Sequence, residues 1–439
     1  MKSATSQIAA FLTNSRLSQI ATRLIATLSL LLAMGQTNTV HAIDIEVEFV
    51  SNSFFAQNNQ AVAAINAAAE HVGSAITSTL ASIDQVSFVD TVGNTTATLD
   101  WSYTFIDRFT NQPIGNFPNP VPNPNLASDT VRIFVDAQPL DGSTVGSGVP
   151  SGAGADIGAS ILGPGPLNAA AIQSVAGLAD SEMSRGDGGA LIGVLFDAGE
   201  TLGGVDIDAI RFRTAFGGIT LDNDTNDNDQ IDTAQQLEDF WHLDHTTAVD
   251  PNKVDLFSIA VSEIVTALGF GTSDAFEARA QGLDWSGGEV IDLLGSGQNV
   301  LDPQSPGSVL SGTISTRISD GAAQEVALDP DIDAGVRQEL TALDLAFLRD
   351  IGFETIVPAS PANADFDDDS DVDGDDFLVW QRGGSPNPLS ASDLALWQDQ
   401  HDNAPAVAIA LTAVPEPNSA YLLATFVVAA TSRRKLMEF

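Results

Sequence analysis

Two segments of this chain set reactive side chains at spacings that metal chemistry uses. The first is Val261-Ser262-Glu263-Ile264-Val265-Thr266-Ala267-Leu268-Gly269-Phe270, where a glutamate stands between two hydroxyls. Ser262 and Thr266 are one helical turn apart, so on a helix they share a face with Glu263 beside them. Imidazoles in those two places would meet one Zn2+, and the carboxylate would take a proton from the water on the metal. A hydroxyl whose pKa is near that of water is a poor zinc ligand at neutral pH. Zn2+ is therefore not expected, and Glu263 remains as a vestigial catalytic residue with no activated water.

The second segment, residues 365–376, places Asp365, Asp367, Asp369, Asp371, Asp373 and Asp376 at positions 1, 3, 5, 7, 9 and 12 of a twelve-residue loop. Alternate residues of a tightly wound loop turn their oxygens inward, which is the ligand pattern of an EF-hand-type calcium loop. Position 6, usually the glycine of a sharp turn, is Ser370, and position 12 is an aspartate, one methylene shorter than the usual glutamate. One Ca2+ site of weakened affinity is expected, with a helix starting near Asp376 and carrying Phe377, Leu378 and Trp380. Asp393-Leu394-Ala395-Leu396-Trp397-Gln398 repeats Asp376-Phe377-Leu378-Val379-Trp380-Gln381 at an offset of 17 residues. The pair resembles a dockerin repeat whose second copy has lost its acidic ligands to Ser390-Ala391-Ser392. The resemblance implies a cohesin-like partner, although one intact loop also suits a rigid spacer.

The glutamate segment needs a helix. Leu256–Leu268 supplies one, with Asp255 as N-cap, Gly269 as the left-handed stop, and Phe257, Ala260, Val261, Ile264 and Leu268 as the apolar stripe. Strand-like stretches at 43–50, 130–137 and 190–198 precede it, so the order reads as α+β. The Gly- and Pro-rich stretch Pro139–Pro166 reads as one long loop. Asp222–Asp229 is a second cation-loop candidate, but it lacks a clean frame and ends without a ligand at Thr233.

The helix resembles the HExxHxxGF zinc helix of secreted zincin metalloproteases, with Ser262 and Thr266 in the histidine places and Thr272 where metzincins carry their third ligand. Phe216–Asp222 resembles the edge strand with which such enzymes align substrate, and Ala327-Leu328-Asp329-Pro330 resembles a Met-turn with leucine for methionine. Leu340–Phe353, with Thr341 and Asp344 as a capping pair, resembles the last helix of matrixin-like proteases. The resemblance covers residues 216–353. It implies a zincin-like mixed sheet with a central helix at 256–268.

The ends carry addresses. Lys2, Arg16 and Arg23 precede the apolar run Leu24–Met34, and Val40-His41-Ala42 offers a cleavage site, so residues 1–42 read as a secretory signal. At the other end, Pro415, Glu416 and Pro417 precede an apolar stretch and a basic cluster with Arg433 and Arg434. This order resembles the PEP-CTERM sorting signal, which implies processing by an exosortase and transient membrane contact through the tail. The charge balance, 17 basic against 58 acidic residues of which 44 are aspartate, argues against nucleic acid and anionic lipid surfaces as partners. With no cysteine, neither disulfides nor thiolate metal sites are available.

The sequence thus divides into a signal peptide (1–42), a zincin-like domain (43–357), a small helical dockerin-like calcium module (358–404), a linker (405–413) and a sorting tail (414–439). It reads as an exported envelope, outer-surface or extracellular-matrix protein whose protease-like domain binds a peptide or polymer without hydrolysing it. A metal-dependent hydrolase using Glu263 with His242 and His245 is the competing reading, and a purely structural envelope protein is the third.

Overall fold

A computed structural model of the chain describes residues 42–106, 112–196, 199–228, 230–297, 299–305, 307–357, 364–367, 372–385 and 389–403. The segments expected to act as an export signal and a sorting tail, including Pro415, Glu416, Pro417, Arg433 and Arg434, lie outside these residues. So do Asp369 and Asp371. Among the described residues no helix is long and apolar enough to cross a membrane. The chain divides into two compact units at Val357/Pro358.

The first unit mixes helices with several sheets. Its main sheet combines β1 (Asp44–Phe49), β4 (Thr130–Gln138), β5 (Gly146–Pro150) and β9 (Phe216–Asp222) in the order β1-β4-β9-β5. The first three of that order run parallel, and β5 is antiparallel to β9. Strands from both halves of the region therefore share one sheet. A second sheet joins β2 (Ser87–Val92), β3 (Thr95–Thr104) and β6 (Gly152–Ile161), all antiparallel, and a third pairs β7 (Leu191–Leu195) with β8 (Ile210–Arg213), which α2 (Ala169–Met183) contacts.

Two expectations are corrected here. Pro139–Pro166 is not one loop, because it contains the whole of β5 and β6. Its glycines hid the strands, since glycine contributes no alternating side chain and has low β-propensity. Nor is Phe216–Asp222 an edge strand. All seven of its residues are buried between β4 and β5, and β5 forms the edge.

The central helix α3 (Leu256–Ala267) lies between this sheet and α1 (Asn59–Ala75). It is apolar on nearly every face, which is the pattern of a helix enclosed by protein. Helix α1 packs against it and carries small residues, Ala61, Ala64, Ala68 and Ala75, without exposed surface. Asp255 caps α3 by accepting from the N–H of Ser258 at 3.2 Å and its hydroxyl at 2.8 Å. Arg337 grips the same fully buried carboxylate with two bonds, at 3.0 and 2.8 Å. That pairing matters because a buried carboxylate left alone would carry a penalty of several kcal/mol, on the order of 3–5.

Further along, α4 (Gly288–Leu294) has no capping side chain of its own. Asp350 of α5 (Ala342–Ile351) serves instead, accepting from the N–H groups of Glu289 and Val290 at 3.0 and 3.1 Å. The chain then leaves the unit beside the place where it came in. Ile43 donates to the Ile76 carbonyl at 3.3 Å, Thr77 to that of Glu354 at 2.7 Å, and Ile356 to that of Ala75 at 2.9 Å.

In the second unit, α6 (Gly374–Gln381) and α7 (Ala391–Asn403) pack through Phe377, which contacts Trp380 and Trp397 at ring centroid distances of 5.5 and 4.8 Å. Helix α6 begins two residues before Asp376, because Asp373 is its N-cap and forms a capping box with Asp376.

Candidate functional site

A cleft of about 730 Å3 opens over one face of α3. Ser262, Glu263 and Thr266 form one wall, β5 and the residues leading into it a second, and Thr272 a third side. The cleft thus gathers Glu263 with the three hydroxyl residues Ser262, Thr266 and Thr272. Its far walls come from segment 302–311 and from the turn Leu328–Ile332. Among the described residues no lysine or arginine lines it.

The geometry depends on glycine. A Cβ on Gly148 would lie 2.2 Å from the Glu263 carbonyl oxygen and 2.9 Å from the Thr266 Cβ. A Cβ on Gly146 would lie 2.8 Å from Ile259 and 2.9 Å from the Glu263 side chain. Only a strand without side chains at these places can lie so close to the helix. The Gly146-x-Gly148 spacing was the available sequence signal for this contact.

That approach encloses the Glu263 carboxyl. Burial pushes its pKa up to about 7, while the N–H of Gly148, which donates to it, pulls the other way. Thr266 turns its hydroxyl back to the Ser262 carbonyl at 3.2 Å, a bond internal to the helix.

The raised pKa has a measurable consequence. The folded state favours protonated Glu263, so its ionisation costs nothing below about pH 4.5, costs progressively more stability up to about pH 7, and levels off above it. Glu263→Gln should therefore raise stability above pH 7 by about 2–3 kcal/mol and leave it nearly unchanged at pH 4. Urea unfolding of both proteins across that window checks the difference.

The turn Ala327-Leu328-Asp329-Pro330 leads into the far wall at Leu328–Ile332, and Asp344 holds it. The Ala327 and Leu328 N–H groups donate to that carboxylate at 3.0 and 3.2 Å, and the N–H and hydroxyl of Thr341 both donate at 2.8 Å. Burial pushes the Asp344 pKa up to about 6 against these four donors. Asp302 and Asp329 are likewise tied to their loops. Asp302 accepts from the N–H groups of Gln304 and Ser305, and Asp329 from those of Gly312 and Asp331.

His242 and His245 are not part of this site. His242 uses Nε2 on the Asp244 carbonyl at 2.9 Å, and its Nδ1 accepts from the N–H of Asp250 at 3.5 Å. His245 lies over Phe257 at 6.5 Å. Among the described residues, neither belongs to a group that could hold a metal with Glu263. Around the second cation-loop candidate, two carboxylates are engaged locally. Asp232 accepts from the N–H and hydroxyl of Thr225, and Asp224 from the N–H groups of Asn228 and Gln230. Thr233 is the N-cap of the next helix.

In the second unit, carboxylate oxygens of Asp365, Asp367 and Asp376 lie within 4.8 Å of one another, close enough to share one cation. Asp376 is fully buried and accepts from the N–H groups of Phe366, Asp367 and Asp373, which winds the loop around it. Asp373 is occupied as the cap of α6, where it accepts from the N–H of Asp375 at 2.7 Å.

Comparison of the chain with protein-family models, with curated proteins and with solved structures finds no match.

Proposed function

We propose that this is an exported, surface-sorted envelope protein whose main unit is a zincin-like metalloprotease scaffold without its zinc ligands, and that it binds an extended polypeptide without cleaving it. The observation that carries the reading is the cleft itself. Glu263 lies there with Ser262, Thr266 and Thr272, beside a strand that has a sheet partner on one side only. An extended peptide can add to such an edge through main-chain hydrogen bonds. With hydroxyls in place of imidazoles, Ser262, Thr266 and Thr272 would not hold zinc beside Glu263 to activate a water.

The small unit is read as a dockerin-like module that takes one Ca2+ through Asp365, Asp367 and Asp376. Hard oxygen donors alone, with neither nitrogen nor sulfur, favour calcium over transition metals. It would serve as a calcium-stiffened spacer or meet a cohesin-like partner. The tail from Pro415 would direct sorting by an exosortase.

The test is elemental analysis of the chain purified without chelator, together with labelled unstructured peptides followed by anisotropy and mass spectrometry. The expected result is about one calcium per chain, no stoichiometric zinc, and peptides that bind and stay intact. Stoichiometric zinc, or peptide cleavage that Glu263→Gln abolishes, would sink the binding reading and restore the hydrolase.

A further inference from the structure

Residues 337–341 meet the start of α3 as a strap that ties several elements together. Arg337 pairs with Asp255, the N-cap of α3, and donates to the carbonyls of His245 and Thr247 at 2.5 and 3.1 Å. The Gln338 N–H donates to the Ser258 hydroxyl at 2.7 Å, and its side chain to the Glu325 carboxylate at 3.2 Å. Leu340, whose side chain is fully buried, accepts from the N–H of Ile318 at 3.0 Å. Thr341 then opens the capping box with Asp344, the residue that holds Ala327 and Leu328.

One more anchor differs from these, because its acceptor titrates near neutral pH. The Leu340 N–H donates to Nε2 of His71, on α1, at 3.2 Å. That bond needs the Nε2 lone pair, and so a neutral imidazole with its proton on Nδ1. A proton on Nε2 would set N–H against N–H and leave the Leu340 amide without this acceptor.

The surroundings oppose a further positive charge. The His71 ring lies 5.7 Å from that of Phe257 between centroids, and the same Phe257 ring has the Arg337 guanidinium at 5.7 Å and the His245 ring at 6.5 Å. Phe257 sits in the first turn of α3, the positive end of the helix dipole. Of the nearby carboxylates, Asp255 is paired with Arg337, Glu325 accepts from Gln338, and Glu339 acts on the imidazole directly. Burial lowers the His71 pKa and Glu339 pulls it back up. The unfolded chain takes the proton near pH 6.5 and the folded chain only below that, so this contribution to stability is lost as pH falls below about 6.5.

We infer that His71 is an acid-sensitive latch: its protonation releases the strap and, through Thr341 and Asp344, loosens the cleft wall at Leu328. The inference does not depend on what the cleft binds. Asp344 titrates with the opposite sign, since its raised pKa makes acid favour the folded state, so a loosening in acid belongs to the imidazole.

The experiment is amide hydrogen exchange on the full chain at about pH 7.5 and about pH 5, corrected for intrinsic exchange rates, in the wild type, His71→Gln and His71→Phe. In the wild type, protection over residues 326–345 is expected to fall at least about 10-fold in acid while Phe216–Asp222 stays unchanged. Glutamine offers an acceptor oxygen that takes no proton, so His71→Gln should keep its protection at both pH values. Phenylalanine offers no acceptor, so His71→Phe should be poorly protected at both. No loss in the wild type, or an equal loss in wild type and His71→Gln, overturns the latch. Loss confined to residues 338–341, with Ala327 and Leu328 still protected, overturns the transmission to the cleft.

Discussion

Gly148→Val is expected to destabilise the main unit by more than about 3 kcal/mol, read as a fall in urea midpoint or as failure to fold. The reason is the kind of atom in the way. The new Cβ would fall 2.2 Å from the Glu263 carbonyl oxygen and 3.1 Å from the Ala267 nitrogen, both helix backbone, so no rotamer change relieves the contact. Either α3 moves, which disturbs its packing on α1, or β5 leaves β9. Gly154→Val is the control. That glycine sits in β6 opposite Ser102, a Cβ there would meet nothing within 4 Å, and valine should be neutral or stabilising by a few tenths of a kcal/mol. If the two substitutions cost the same, close strand–helix packing is not what Gly148 provides.

Asp344→Ala should cost about 3–5 kcal/mol at neutral pH, and Asp344→Asn about half of that. Alanine strands the buried N–H groups of Ala327, Leu328 and Thr341, whereas asparagine keeps one acceptor oxygen for part of the set. The sign of the pH dependence is separate from this loss. Because burial raises the Asp344 pKa to about 6, its ionisation takes stability away as pH rises from about 4 towards 6 and above. Asp344→Asn should therefore flatten the stability profile over that range while lowering it overall. Leu328 belongs to the turn that Asp344 holds and also lines the cleft, so peptide affinity should fall in the folded fraction of the alanine protein as well. Unchanged affinity would mean that the turn keeps its shape without the carboxylate.

The parts of the fold with side-chain signals were legible. Asp255 before an apolar run and Gly269 after it marked α3, and both act as their chemistry suggests: Asp255 caps the first turn, and Gly269 adopts φ +124°. Thr341 and Asp344 form the capping box their spacing implied, although the bonds from Asp344 to Ala327 and Leu328 could not be read from it. The strands in the Gly- and Pro-rich stretch were not legible, because β5 is a strand by virtue of what packs on it. The interior place of β9 was missed for a related reason: Thr220 and Asp222 look like surface residues and are buried. At the site, the α3 face could be found from motif spacing. The wall at 302–311 could not, since Asp302, Ser305, Gly307 and Ser308 follow no period and no ligand pattern.

The hydrogen bonds that tie Ile43 to Ile76, Thr77 to Glu354 and Ile356 to Ala75 have a mechanical meaning. If the two ends of the main unit are pulled apart, the load falls on this small patch, where the incoming and outgoing segments are stitched to the same stretch, before it reaches α3 or β5. A protein built this way meets a pull on its two ends first at this patch of backbone hydrogen bonds.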